Sequence, residues 1–104
     1  MQNEVFGPVL CLQTFAGEAE AIELANSTAY GLSAIVYTSS MGRAERVGRA
    51  VRAGVTWVNT FLVRDLTAPF GGMGVSGIGR EGGEYALDFY SDLKTLQILE
   101  GTVG

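Results

Sequence analysis

Arg64 and Asp65 sit side by side in an apolar stretch, between Phe61-Leu62-Val63 and Leu66. A guanidinium offers a planar fork of N–H donors that matches a carboxylate, so Arg64 could bind an anionic ligand. The pair could equally be a local ion pair or a surface tip, and the residues alone leave both readings open. Cys11 is the single cysteine. It falls inside an apolar run and no histidine exists to activate it, so it reads as a buried, inert thiol. Gly72, Gly74 and Gly77 spell G-x-G-x-x-G, and Gly77, Gly79 and Gly82 spell it again. A phosphate-cradling version must follow a strand and open a helix. This stretch follows Ala68-Pro69-Phe70, so its glycines read as structural. There is no Walker-type Gly-Lys-Ser/Thr. Arg43, Arg46, Arg49 and Arg52 recur every three residues, which fans them over half a helix and suggests a solvated face.

The bulk numbers narrow the chemistry further. The chain has 104 residues, with 7 Lys+Arg against 11 Asp+Glu and a net charge of -4. Nucleic acids and anionic membranes call for a basic footprint, so neither is an expected partner. With no histidine, the commonest general base and metal ligand are missing. One cysteine excludes an internal disulfide and a Cys-based zinc site, and no metal is expected. The opening MQNEVFGPVLCLQTF has no basic n-region and no long apolar stretch. It reads as neither a signal peptide nor a membrane span, and the cytoplasm is the default location.

The elements that must hold these residues alternate in type. Residues 9–15 form a short apolar run that reads as a strand. Residues 18–27 read as a helix with Glu18 and Glu20 in its first turn. Residues 32–38 read as a second strand. Residues 41–52 form a helix with Ala44, Val47, Gly48 and Val51 on one stripe, after an N-cap at Ser39-Ser40. Residues 55–59 read as a third strand. The alternation predicts an α/β layer of three parallel strands with intervening helices. Residues 60–83 then read as a long, ordered and functional loop. Residues 84–93 return to helical period through Ala86, Phe89, Tyr90 and Leu93. Residues 94–99 read as a last strand, either an edge or paired with another chain.

Three blocks, in order, carry a family resemblance: Glu4-Val5-Phe6-Gly7-Pro8, Trp57-Val58-Asn59, and PFGGMGVSGIGRE from Pro69 to Glu81. Together they resemble the C-terminal part of the NAD(P)-dependent aldehyde dehydrogenase superfamily. The resemblance spans essentially the whole chain but only about the last fifth of a multidomain family member. It implies that residues 1–93 belong to the catalytic domain and that 94–104 form a terminal strand and tail for oligomerisation. Glu4 resembles the glutamate that hydrogen-bonds the nicotinamide ribose, and Phe6 the aromatic residue beside the nicotinamide. Phe70 resembles the aromatic residue lining the substrate tunnel. The final strand resembles the segment that joins a neighbouring subunit's sheet, which implies a homo-oligomer.

Val63-Arg64-Asp65-Leu66 is similar to the branch acting on hydroxymuconic and aminomuconic semialdehydes. Substrates of that branch carry a carboxylate beside the aldehyde, and Arg64 would anchor it. The family's catalytic cysteine and general-base glutamate precede the Glu4 block, so Cys11 is not that nucleophile and no catalytic residue is assigned here. The expected function is part of an aldehyde dehydrogenase oxidising a carboxylate-bearing semialdehyde with NAD or NADP. The isolated chain is expected to be inactive and to hold no cofactor tightly. The alternatives are a non-catalytic α/β oligomerisation module and a small nucleotide-binding protein using the GMGVSG loop.

Overall fold

Residues 18 to 58 fold as an α-β-α-β unit in the computed structural model, which describes residues 2–101. Helix α1 spans Glu18–Ala25, strand β1 Ser33–Val36, helix α2 Met41–Ala50 and strand β2 Val55–Val58. The two strands pair in parallel, with Ser33 opposite Val55 and Val36 opposite Val58. Parallel neighbours need a crossover, and α2 supplies it. Its start follows from Ser40, whose hydroxyl accepts the Arg43 N–H at 3.3 Å. Its apolar stripe faces inward, with Ala44 buried and Val47, Gly48 and Val51 partly so.

Polar side chains set the joints between these elements. At the end of α1, Asn26 donates Nδ2–H to the Ala50 carbonyl at 2.9 Å and accepts the Arg52 N–H at 2.7 Å. One amide therefore satisfies an orphan carbonyl of α2 and fixes the two helix ends together. After β2, Asn59 adopts φ 53, a region asparagine tolerates better than most residues. Its side chain then bonds both the N–H and the carbonyl of Thr38, each at 2.8 Å. The amide extends the β1–β2 ladder by one step while the main chain turns away.

The arginine face of α2 is exposed but engaged. Arg46 makes a two-pronged contact with Glu18, both bonds at 2.9 Å, and Arg43 lies 3.4 Å from the same carboxylate. The Arg46 bond, with help from Arg43, holds the Glu18 carboxyl below its ordinary value of 4.5. A lowered folded value means the contact is complete above the unfolded value and fades as pH falls through the folded one. Acidification below the ordinary glutamate range should therefore loosen α1 from α2. Thermal melts of the wild type and Glu18→Gln across pH 3–7 check this, at about the range where carboxylates titrate. The variant should lose part of the acid sensitivity; parallel curves would show that the contact contributes nothing.

Two strands expected from the sequence are not formed, so the sheet has two strands rather than three or more. Residues 9–15 carry no ladder, and neither do residues 94–99. A strand is stable only when its N–H and carbonyl groups find a partner strand, and among the described residues neither segment has one. Cys11 is accordingly exposed rather than buried. Helix α3 is shorter than its pattern, Tyr85–Tyr90. The structure is extended, with extents of 78 × 33 × 23 Å and a radius of gyration of 20.4 Å. A compact chain of this length would be near ~13 Å. Among the described residues the buried apolar side chains are Ala44 and Trp57, while Leu10, Leu12, Leu93 and Leu99 stand in solvent. No helix among the described residues is long and apolar enough to cross a membrane.

Candidate functional site

Trp57 on β2 anchors the loop that carries Arg64. Its ring is 8 % exposed, and its indole N–H donates to the Val63 carbonyl at 2.8 Å. Phe61 packs edge-on against it, with centroids 5.7 Å apart and planes at 84°. Residues 61–63 are thus tied to the sheet, and Arg64 follows directly.

Asp65 is not the partner of Arg64. Its carboxylate accepts the Thr67 N–H at 2.9 Å and the Thr67 hydroxyl at 2.7 Å, closing a local turn. The hydroxyl bond, then the main-chain bond, holds the Asp65 carboxyl below the ordinary aspartate range. A local Arg64–Asp65 ion pair, one of the two sequence readings, does not form. Arg64 instead reaches across the loop, and its Nη2 donates to Glu81 Oε1 at 3.0 Å. Its guanidinium carbon lies 4.3 Å from the centroid of the Phe70 ring, a stacked cation–π arrangement.

The main chain brings Phe70 and Glu81 together. The Phe70 N–H donates to the Glu81 carbonyl at 2.7 Å, and the Glu81 N–H returns the bond at 2.8 Å. This single antiparallel bridge closes the glycine-rich loop. Inside it, Arg80 Nη1 donates to the carbonyls of Gly72 at 2.8 Å and Gly79 at 2.6 Å. The loop also docks onto the sheet: the Met73 N–H donates to the Gly31 carbonyl at 2.8 Å, and the Gly31 N–H to the Ser76 hydroxyl at 2.9 Å. Its only helical turn is the 3₁₀ segment Gly74–Ser76, which follows no strand. The glycines shape a docked loop and do not form a strand-to-helix phosphate cradle.

Arg64 and Phe70, with Val63, Pro69 and Trp57, line a concavity of about 90 Å³. The Arg64 side chain is 40 % exposed, and one of its five N–H donors goes to Glu81. An edge of the guanidinium is left to take a second carboxylate. The structure thus unites Arg64 and Phe70. Glu4 lies elsewhere, at a wider concavity of about 660 Å³ shared with Tyr30, Ser33, Arg52 and Ser76. Phe6 is 98 % exposed. Sequence reasoning missed Glu81 and Arg80 as site builders. The Asp-x-Thr spacing at 65–67 was a usable signal that Asp65 would serve a turn rather than an ion pair.

A family model described as the aldehyde dehydrogenase family matches residues 1–96. A 2-aminomuconic 6-semialdehyde dehydrogenase from Pseudomonas sp. is 50% identical over 93 residues, 89% of this chain and 19% of that protein. A 2-hydroxymuconic semialdehyde dehydrogenase from Pseudomonas putida is 50% identical over 94 residues, 90% of this chain and 19% of its own length. Among solved structures, the P. syringae indole-3-acetaldehyde dehydrogenase in complex with NAD+ superposes with a TM-score of 0.83 at 49% identity, over 89% of this chain and 19% of that one. The chain spans about a fifth of the length of the curated relatives it matches. Matched along almost its entire length and sharing their α/β fold with a parallel sheet, the chain belongs to the aldehyde dehydrogenase family.

Proposed function

We propose that this chain is the part of an aldehyde dehydrogenase that walls the substrate tunnel, in an enzyme oxidising a carboxylate-bearing semialdehyde to the acid with NAD(P). The observation that carries the reading is the Arg64 guanidinium, stacked on Phe70 with an edge left exposed. A fork of N–H donors beside an aromatic wall suits a ligand with an anionic end and an apolar body. The 2-aminomuconic and 2-hydroxymuconic semialdehyde dehydrogenases among its relatives act on substrates of that kind.

Glu4 and Phe6 suit a nicotinamide riboside in chemical kind. Glu4 has a carboxylate with no hydrogen-bond partner among the described residues, and it can accept two ribose hydroxyls. Phe6 presents a bare ring face suited to packing beside a flat heterocycle. The cofactor, when bound, supplies the hydride acceptor. In this reading Phe70 bounds the tunnel, Arg64 orients the substrate by its carboxylate, and residues 94–104 pair with a neighbouring subunit's sheet. Residues 1–93 are then catalytic-domain sequence, and the reducing cytoplasm suits an exposed Cys11.

A second reading, a non-catalytic α/β oligomerisation module, draws on the apolar side chains exposed at both ends. A chimera separates the two. This chain replaces the matching segment of the Pseudomonas 2-aminomuconic 6-semialdehyde dehydrogenase, and NADH formation is followed. Activity with a carboxylate-bearing semialdehyde is expected from the chimera and none from the purified 104-residue chain. A soluble, folded but inactive chimera counts against the enzymatic reading.

A further inference from the structure

We propose that Glu81 is the positioning residue for Arg64, fixing the guanidinium so that its remaining edge faces substrate. The proposal rests on the reading of Arg64 given above and adds the residue on which its selectivity depends.

Glu81 acts from both of its ends. Its main chain exchanges two hydrogen bonds with Phe70, at 2.7 and 2.8 Å. Its carboxylate takes Arg64 Nη2 at 3.0 Å. One residue therefore sets the ring and the cation in register, and the 4.3 Å stacking distance follows. An arginine side chain has many rotamers, and a binding fork works only if few of them are populated. Contact with Phe70 places the guanidinium carbon over the ring but does not set which way its N–H groups point. The bond to Glu81 sets that direction, and it occupies Nη2 rather than the whole fork.

A neighbouring carboxylate also opposes an anionic substrate by charge. Arg64 and Glu81 are 40 % and 54 % exposed, so water and salt screen that repulsion. Hydrogen-bond geometry is not screened in the same way. The orienting effect therefore outweighs the repulsion, and losing Glu81 weakens binding of a carboxylate-bearing substrate rather than strengthening it.

The test measures kcat and KM in the chimeric enzyme described above, with a carboxylate-bearing semialdehyde and a neutral aldehyde of equal length. The readout is the ratio of the two kcat/KM values, from which any loss common to both substrates cancels. Glu81→Ala should lower the ratio about tenfold, through KM, and Glu81→Gln, which keeps an acceptor, should stay within about twofold of the wild type. In an Arg64→Ala background, Glu81→Ala should change the ratio no further. An unchanged ratio in Arg64→Ala alone overturns the reading of Arg64. A lowered ratio in Arg64→Ala with an unchanged one in Glu81→Ala overturns the positioning role alone. Equal losses in Glu81→Ala and Glu81→Gln, or an undiminished Glu81 effect without Arg64, overturn it too.

Discussion

Replacing Gly54 with alanine should dislodge the whole glycine-rich loop. A methyl group there overlaps the Gly71 carbonyl oxygen, with the carbonyl carbon 2.7 Å away and Gly72 Cα at 3.3 Å. All three atoms are main chain, so no side chain can swing aside to make room. The glycine-rich loop must lift, and lifting strains the bonds that dock it: Met73 to Gly31 at 2.8 Å, Val75 to Ala29 at 3.1 Å, and Gly31 to Ser76 at 2.9 Å. At roughly 1 kcal/mol for each, the expected destabilisation is about 3 kcal/mol. Phe70 directly precedes Gly71, so KM for a carboxylate-bearing substrate should rise as well. Gly7→Ala is the control, because nothing lies within 4 Å of its added methyl. Differential scanning calorimetry of the two variants in the chimeric enzyme decides the matter. A Gly54→Ala protein melting within about 1 °C of Gly7→Ala would show that the close approach has no energetic consequence.

Arg64→Ala should raise KM for a carboxylate-bearing aldehyde by about 10- to 100-fold, the equivalent of one charge-assisted contact of about 1.5–3 kcal/mol. The kcat should change little, because the carboxylate is held equally in the ground and transition states. A neutral aldehyde of the same length should be handled as before. Arg64→Lys should recover only part of the loss. Lysine restores the charge but neither the planar fork nor the flat contact with Phe70, which lies 4.3 Å from the guanidinium carbon. An equal loss with both aldehydes would refute recognition of the carboxylate and leave Arg64 as a structural part of the loop.

The central α-β-α-β unit was legible because its signals are local. Ala44, Val47, Gly48 and Val51 mark a helical stripe, and Ser40 marks its start. The outer segments form no ladder within this chain for a physical reason: apolar content identifies a segment that can pair, but only a neighbouring strand makes it do so. Residues 9–15 and 94–99 have the composition without the neighbour. The sequence singles out Arg64 as a cation in an apolar stretch but gives no sign of its partner. Glu81 lies 17 residues further on, and nothing in the spacing announces the bridge through Phe70 that brings it back. Asn59 was read as the last residue of a strand. Its backbone N–H still donates to the Val36 carbonyl at 2.8 Å, and its side chain carries the pairing one step further to Thr38, a use of amide for peptide that hydrophobic pattern does not record.

The Gly31 carbonyl accepts two N–H groups, from Gly54 at 3.0 Å and from Met73 at 2.8 Å. Three segments far apart in the chain meet at this one oxygen. The first bond belongs to the edge of the two-strand ladder, and the second hangs the glycine-rich loop on the same residue. The strands share a four-residue register, while the loop is held to them by a few separate bonds. The loop can therefore loosen without the sheet beneath it coming apart.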